Sequence, residues 1–135
     1  MIYIFNLNGR PVPLARARYS RAFKVYDSQK NYKLVAAISL QNQFDYDIIE
    51  CPISLDVIFY MPIPRYMKKQ VDDLPFQPHY IKPDVSNLLK MIEDLLVDAE
   101  IIKDDALIWK ATATKVYDKE HEPSSIITIT KYEYE

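Results

Sequence analysis

The sequence predicts a single small α+β domain, residues 1–135, with a mixed sheet of about four strands and two main helices. Three observations predict it. Four short runs are β-branched, aromatic or alternating, two longer stretches carry helical periodicity, and the two kinds interleave along the chain as β, basic arm, α, β, loop, α, β, β. A chain of 135 residues is also long enough to bury one core without disulfide staples.

The elements follow in order. Ile2 to Leu7 is apolar and aromatic and reads as the first strand. The basic N-terminal arm, about residues 9–27, carries Gly9, Pro11, Pro13 and the arginines, a composition that breaks both helix and strand. A helix is expected from Ser28 to about Gln43, capped by Asp27 or Ser28, with Tyr32, Val35, Ala36 and Ser39 roughly on one face. Ile53 to Tyr60 reads as a strand that Pro62 and Pro64 end. Arg65 to Tyr80 is polar and proline-punctuated, with one helical turn expected around Met67 to Val71. The clearest element comes next: Val85, Leu88, Leu89, Ile92, Leu95, Leu96 and Ala99 recur at spacings of three and four, with Asp84 at the N-cap position. Leu107 to Tyr117 and Ser125 to Tyr134 are β-branched and alternating and predict a terminal hairpin turning through Asp118 to Pro123.

Composition excludes several functions. Gly9 is the only glycine, which rules out phosphate loops and dinucleotide fingerprints, since both need several glycines. Cys51 is the only cysteine, so no disulfide framework or thiolate metal site is possible, and a reducing cytoplasm fits. No apolar run reaches the length of a membrane span, and the first residues lack the pattern of a signal peptide. The net charge of −2 conceals an asymmetry. From Gly9 to Lys33 stand Arg10, Arg16, Arg18, Arg21, Lys24, Lys30 and Lys33 against the single acid Asp27. Arg65, Lys68 and Lys69 form a second basic patch, while acids concentrate from Asp84 to Asp105. Local charge, not the total, sets the field a polyanion meets.

The chemistry concentrates between Lys82 and Asp105. Asp84 opens the amphipathic helix, Lys90 lies two turns in, and Asp104-Asp105 follow the helix end. Carboxylates gathered beside a lysine suit Mg²⁺-dependent phosphodiester cleavage, and a helix N-terminus favours a phosphate. Each residue also has an ordinary reading: Asp84 as a cap, Asp104-Asp105 as turn residues, Asp94 and Asp98 as a solvated helix face. The two acid groups can meet only if the strand after the helix returns beside the helix N-terminus.

Lys82-Pro83-Asp84-x-x-Asn87-Leu88-x-Lys90, then Asp94, then Asp104-Asp105, resembles the signature of RusA-type Holliday-junction resolvases. Gly9-x-Pro11-Val12-Pro13, Arg16-x-Arg18, Val25-Tyr26 and His79 are similar to that family's N-terminal arm and pre-motif segment. The resemblance implies a RusA-like nuclease fold and a homodimer, often encoded by phages and prophages. Such an enzyme nicks four-way DNA junctions symmetrically in recombination and repair, with Mg²⁺ as cofactor and Mn²⁺ as a substitute. By position it implies Asp84, Asp105 and Lys90 as catalytic residues. It implies Asp84, Asp104, Asp105 and Ser86 as metal ligands, and Arg16, Arg18, Arg21, Lys82 and Lys90 as DNA contacts. Ser86 departs from the family, which carries a second aspartate there; a neutral hydroxyl binds Mg²⁺ more weakly than a carboxylate. Two other readings follow: a junction-binding protein with a degenerate, inactive metal site, and a protein-interaction module whose basic arm meets acidic partners. No membrane partner or nucleotide cofactor is expected.

Other residues have quieter readings. His79 is a DNA-contacting or supporting group or an ordinary loop histidine, and His121 is a solvent-exposed turn residue. Trp109 is expected in the core, and Cys51 as a small hydrophobe. Of the eleven tyrosines most are expected to be strand residues, with Tyr19 and Tyr26 the candidates for stacking on bases.

Overall fold

The architecture comes from a computed structural model describing residues 1–15, 28–67 and 76–134, together with the backbone of 18–19 and 25–26. Residues of the arm and of the 68–75 segment outside these ranges, including Arg16, Arg21, Lys68 and Lys69, lie beyond the described part, as does the side chain of Arg18.

Strand β1 is Ile2–Asn8, and its alternation puts Tyr3, Phe5 and Leu7 inward while Ile2 and Ile4 face out. A short ribbon, β2 (Arg18–Tyr19) with β3 (Val25–Tyr26), forms within the arm. Helix α1 is Lys30–Asn42, and β4 is Ile53–Tyr60. A 3₁₀ turn forms at Arg65–Met67, and the helical turn expected around Met67 to Val71 lies, beyond Met67, outside the described residues. The two-residue β5 (Gln77–Pro78) precedes helix α2, Val85–Asp98. A second 3₁₀ turn, Asp105–Leu107, leads into β6 (Ile108–Tyr117), and β7 is Ser124–Lys131.

The main sheet is mixed, with strand order β1-β7-β4-β6-β5. Four long strands match the expected number, and β5 adds a short edge, where Pro78 costs no ladder bond. The expected terminal hairpin does not form: β4 lies between β6 and β7, parallel to the first and antiparallel to the second. Both late strands carry the alternation a hairpin needs, but β4 is apolar enough to be a central strand and takes a neighbour on each edge. The path from β4 through α2 to β6 is a parallel crossover.

Both helices cover one face of the sheet. Phe5, Leu55, Val57, Phe59, Ile127 and Ile129 meet Leu40 of α1 and Leu88, Met91, Leu95 and Leu96 of α2 in one core. The expected face of α2 is buried from Leu88 onward, with Met91 added to it and Val85 left exposed. In α1 the face differs: Ala36, Ala37 and Leu40 are buried while Val35 is exposed, and the N-cap is Gln29 rather than Asp27 or Ser28. Leu34, Val35 and Ile38 give α1 a second apolar side, so periodicity alone could not choose between them. Among the described residues no helix is long and apolar enough to cross a membrane.

Candidate functional site

The loop before α2 crosses the end of β6. Asp84 takes the N-cap position with extended backbone, yet its side chain caps nothing. Its Oδ1 instead accepts from Lys82 Nζ at 2.7 Å. That hydrogen bond, together with the lysine's charge, holds the Asp84 carboxyl below the usual range. Asp84 is therefore an exposed carboxylate at a helix N-terminus, free of structural duty to the helix.

The strand after α2 does return to the helix start, as a shared acid site would need. What it delivers there is Lys115. Its Nζ donates to the carbonyls of Ile81 and Pro83, each at 2.7 Å, and ties the loop to β6. Lys115, Lys82, Asp84, Ser86 and His79 line one cleft of about 670 Å³. Sequence reasoning missed Lys115: nothing in its local pattern marks it, and only the parallel register of β6 on β4 carries it to this place.

His79 anchors the back of the cleft. It is 7% exposed, its backbone N–H donates to Lys115 O at 3.0 Å, and its ring packs 4.9 Å from that of Tyr117. Burial lowers its pKa, and the Lys115 charge lowers it further. Its buried Nδ1 has no hydrogen-bond partner among the described residues.

Asp104 and Asp105 stand elsewhere. Asp104 caps the 3₁₀ turn, its Oδ1 accepting from Ala106 N at 2.8 Å. That amide, then a hydrogen bond with Asp105, lowers the Asp104 pKa. The pair lines a second cleft, about 440 Å³, with Asp94 and Asp98 from the last turns of α2 and with Lys33 and Lys103. The turn reading of Asp104 is thus correct, and the cleft adds Asp94 to the acids beside it. Burial raises the Glu93 pKa, Lys90 opposes this, and Asp105 and Asp94 add to it. Lys90 is exposed, lies along α2 between the two groups and lines neither cleft.

The two acid groups are not brought together within one chain. Asp84 and Asp94 are ten residues apart on or beside one helix, roughly 15 Å at 1.5 Å per residue. Among the described residues no three His, Cys, Asp or Glu side chains are grouped to hold a metal ion. The donors themselves are hard oxygens, as Mg²⁺ requires, and Asp84 and Asp104 both favour the ionised form.

His121 is an exposed turn residue as expected, but it is held: Nδ1 lies 2.8 Å from Asp118 Oδ2, and its ring stacks on Tyr60 at 4.0 Å. Cys51 is half-buried against the core. Trp109 overturns its expectation, being 60% exposed.

Comparison with known proteins agrees along most of the chain. The family model described as endodeoxyribonuclease RusA matches residues 8–130. The crossover junction endodeoxyribonuclease RusA of Aquifex aeolicus is 30% identical over 117 residues, covering 84% of this chain and 79% of that protein. The uncharacterized protein YqaN of Bacillus subtilis is 31% identical over 126 residues, covering 86% of this chain and 88% of that one.

Proposed function

This chain belongs to the RusA family of endodeoxyribonucleases, and from that premise we propose that it resolves Holliday junctions by Mg²⁺-dependent hydrolysis of DNA phosphodiester bonds. The observation that carries this reading is the cleft at the start of α2, where the exposed Asp84 carboxylate sits with Lys82 and Lys115. A cytoplasmic role in recombination and repair, and a phage or prophage origin, belong to the same proposal.

Asp84 with Ser86, and Asp104 with Asp105, are the residues that would hold Mg²⁺, with Mn²⁺ as a substitute. The ion would supply an activated water and neutralise charge on the phosphate. The chain's own groups have separate tasks. Lys82 screens Asp84 in the free protein and becomes available to a DNA phosphate once the carboxylate has another cation. The N-terminus of α2 favours an anion at the same place. Lys115 fixes the loop that presents Asp84. Lys90 contacts the scissile phosphate, and Arg16, Arg18 and Arg21 grip the backbone of the branched substrate.

The separation of Asp84 from Asp105 supports a homodimeric enzyme in which each site draws on both copies. Two copies related by a two-fold axis, with their α2 helices antiparallel, would set Asp84 of one against Asp105 of the other. Ser86 favours one alternative: a junction-binding protein whose metal site is degenerate, since a hydroxyl stands beside Asp84 in the cleft.

The test is cleavage of a labelled four-way junction beside a matched linear duplex, in Mg²⁺, Mn²⁺ or EDTA. Paired nicks in the junction alone, lost in EDTA, are expected. Junction binding with no nick in either metal would replace the nuclease with the degenerate-site protein.

A further inference from the structure

Trp109, Tyr132 and Tyr134 form an exposed aromatic cluster at the end of the sheet where Asp104 and Asp105 stand. Strand β6 enters there, directly after the 3₁₀ turn those aspartates begin. The register slips at this point: Ile53 pairs with Ile108 and Ser54 with Lys110, so Trp109 has no partner on β4. Such a slip re-aims a side chain. The Trp109 ring lies 5.9 Å from Tyr132 at 87°, and Tyr132 lies 4.8 Å from Tyr134 at 80°. Each edge-to-face contact covers no more than one face of one ring, and the three residues are 60%, 45% and 77% exposed.

We propose that Trp109, Tyr132 and Tyr134 form a stacking platform for an unpaired nucleobase of branched DNA, beside the Asp104–Asp105 end of the site. This deepens the nuclease reading and rests on it. Three observations favour a base over another occupant. The substrate class of the family is DNA, and a four-way branch is where bases are most easily unstacked. Trp109 follows Asp105 by four residues through the 3₁₀ turn, so a base held on the cluster would bring its strand to the end of the sheet that carries the acid pair. Lys110, the next residue, is exposed and offers a cation to that strand's backbone.

Trp109 is the only tryptophan, so its emission reports on the platform alone. The experiment titrates the protein with a four-way junction, a single strand and a matched duplex in EDTA, reading emission and gel mobility together. Expected are quenching by the junction and the single strand but not by the duplex. Trp109→Ala should weaken junction binding about tenfold, the ordinary worth of one stacked base, while Trp109→Phe keeps most of it. A mobility shift with unchanged emission overturns the platform and leaves the nuclease reading standing. Equal quenching by duplex also overturns it, because a paired base cannot stack on a side chain. A concentration-dependent emission change without DNA would instead make the cluster a contact between copies of this chain. No junction binding at all would overturn the platform and the nuclease reading together.

Discussion

Asp84 and His79 show how differently two residues of one cleft depend on the fold. Asp84 holds the N-cap position without capping, so Asp84→Asn removes a charge and an ion pair but no helix contact. The variant is expected to melt with wild type and still shift a junction in a gel, while cleavage falls about a hundredfold or more. Undiminished cleavage would take Asp84 out of the site. His79 is buried with its pKa lowered, chiefly by burial. The unfolded chain therefore takes up the proton first, and stability drains away as pH falls below about 6.5, the ordinary histidine value. His79→Phe removes that linkage, so the fall in Tm from neutral pH to mild acid should be smaller than in wild type; equal falls would refute it. At this scale the sequence disclosed identities but not surroundings. The motif from Lys82 to Lys90 was readable because its parts are local. Lys115 was not, because it lies seventeen residues beyond α2's last residue on a strand that had first to find its register. Trp109 was misread because an aromatic at a strand start usually fills a core, and only the register slip turns it outward.

Helix α2 was legible almost to its ends, since large apolar residues on one side and charges on the other leave one way to lie on a sheet. Helix α1 was legible as a helix but not in orientation, because small alanines face the core and larger apolar residues face away. The end of α2 has a further peculiarity. Ile101 N–H reaches Leu96 O and Glu100 N–H reaches Val97 O, the paired closure that normally ends on glycine. Here Glu100 adopts φ 58 in a chain whose sole glycine is spent at Gly9 (φ 100). Glu100→Gly relieves a left-handed backbone at some cost in unfolded-state entropy. The net expectation is a gain of about 0.5–1 kcal/mol in urea denaturation, with no gain if the side chain is stabilising the turn.

Across the whole molecule the decisive fact is that the two acid groups face separate clefts. A site shared between copies makes an unusual prediction. Asp84→Asn and Asp105→Asn should each be inert alone, yet mixing them should restore nicking. In such a mixed dimer one site carries both substitutions and the other carries neither. If the mixture stays inert although dimers exchange, each site belongs to one chain. Sequence raised the question of whether the two groups meet but could not answer it, because spacing along the chain says nothing of which end of a helix a later loop will reach. The strand order has a consequence of another kind. Among the described residues β1 has β7 as its only sheet neighbour, and β7 is also one side of β4. Strand β1 thus waits for residues 124–131 before its ladder can close, a long-range loop closure. Until then Phe5 and Leu7 have no sheet to lie in. Zipping β7 between its two neighbours is therefore expected to be the late, rate-setting event of folding, so a partly synthesised chain would hold no finished sheet and no nuclease.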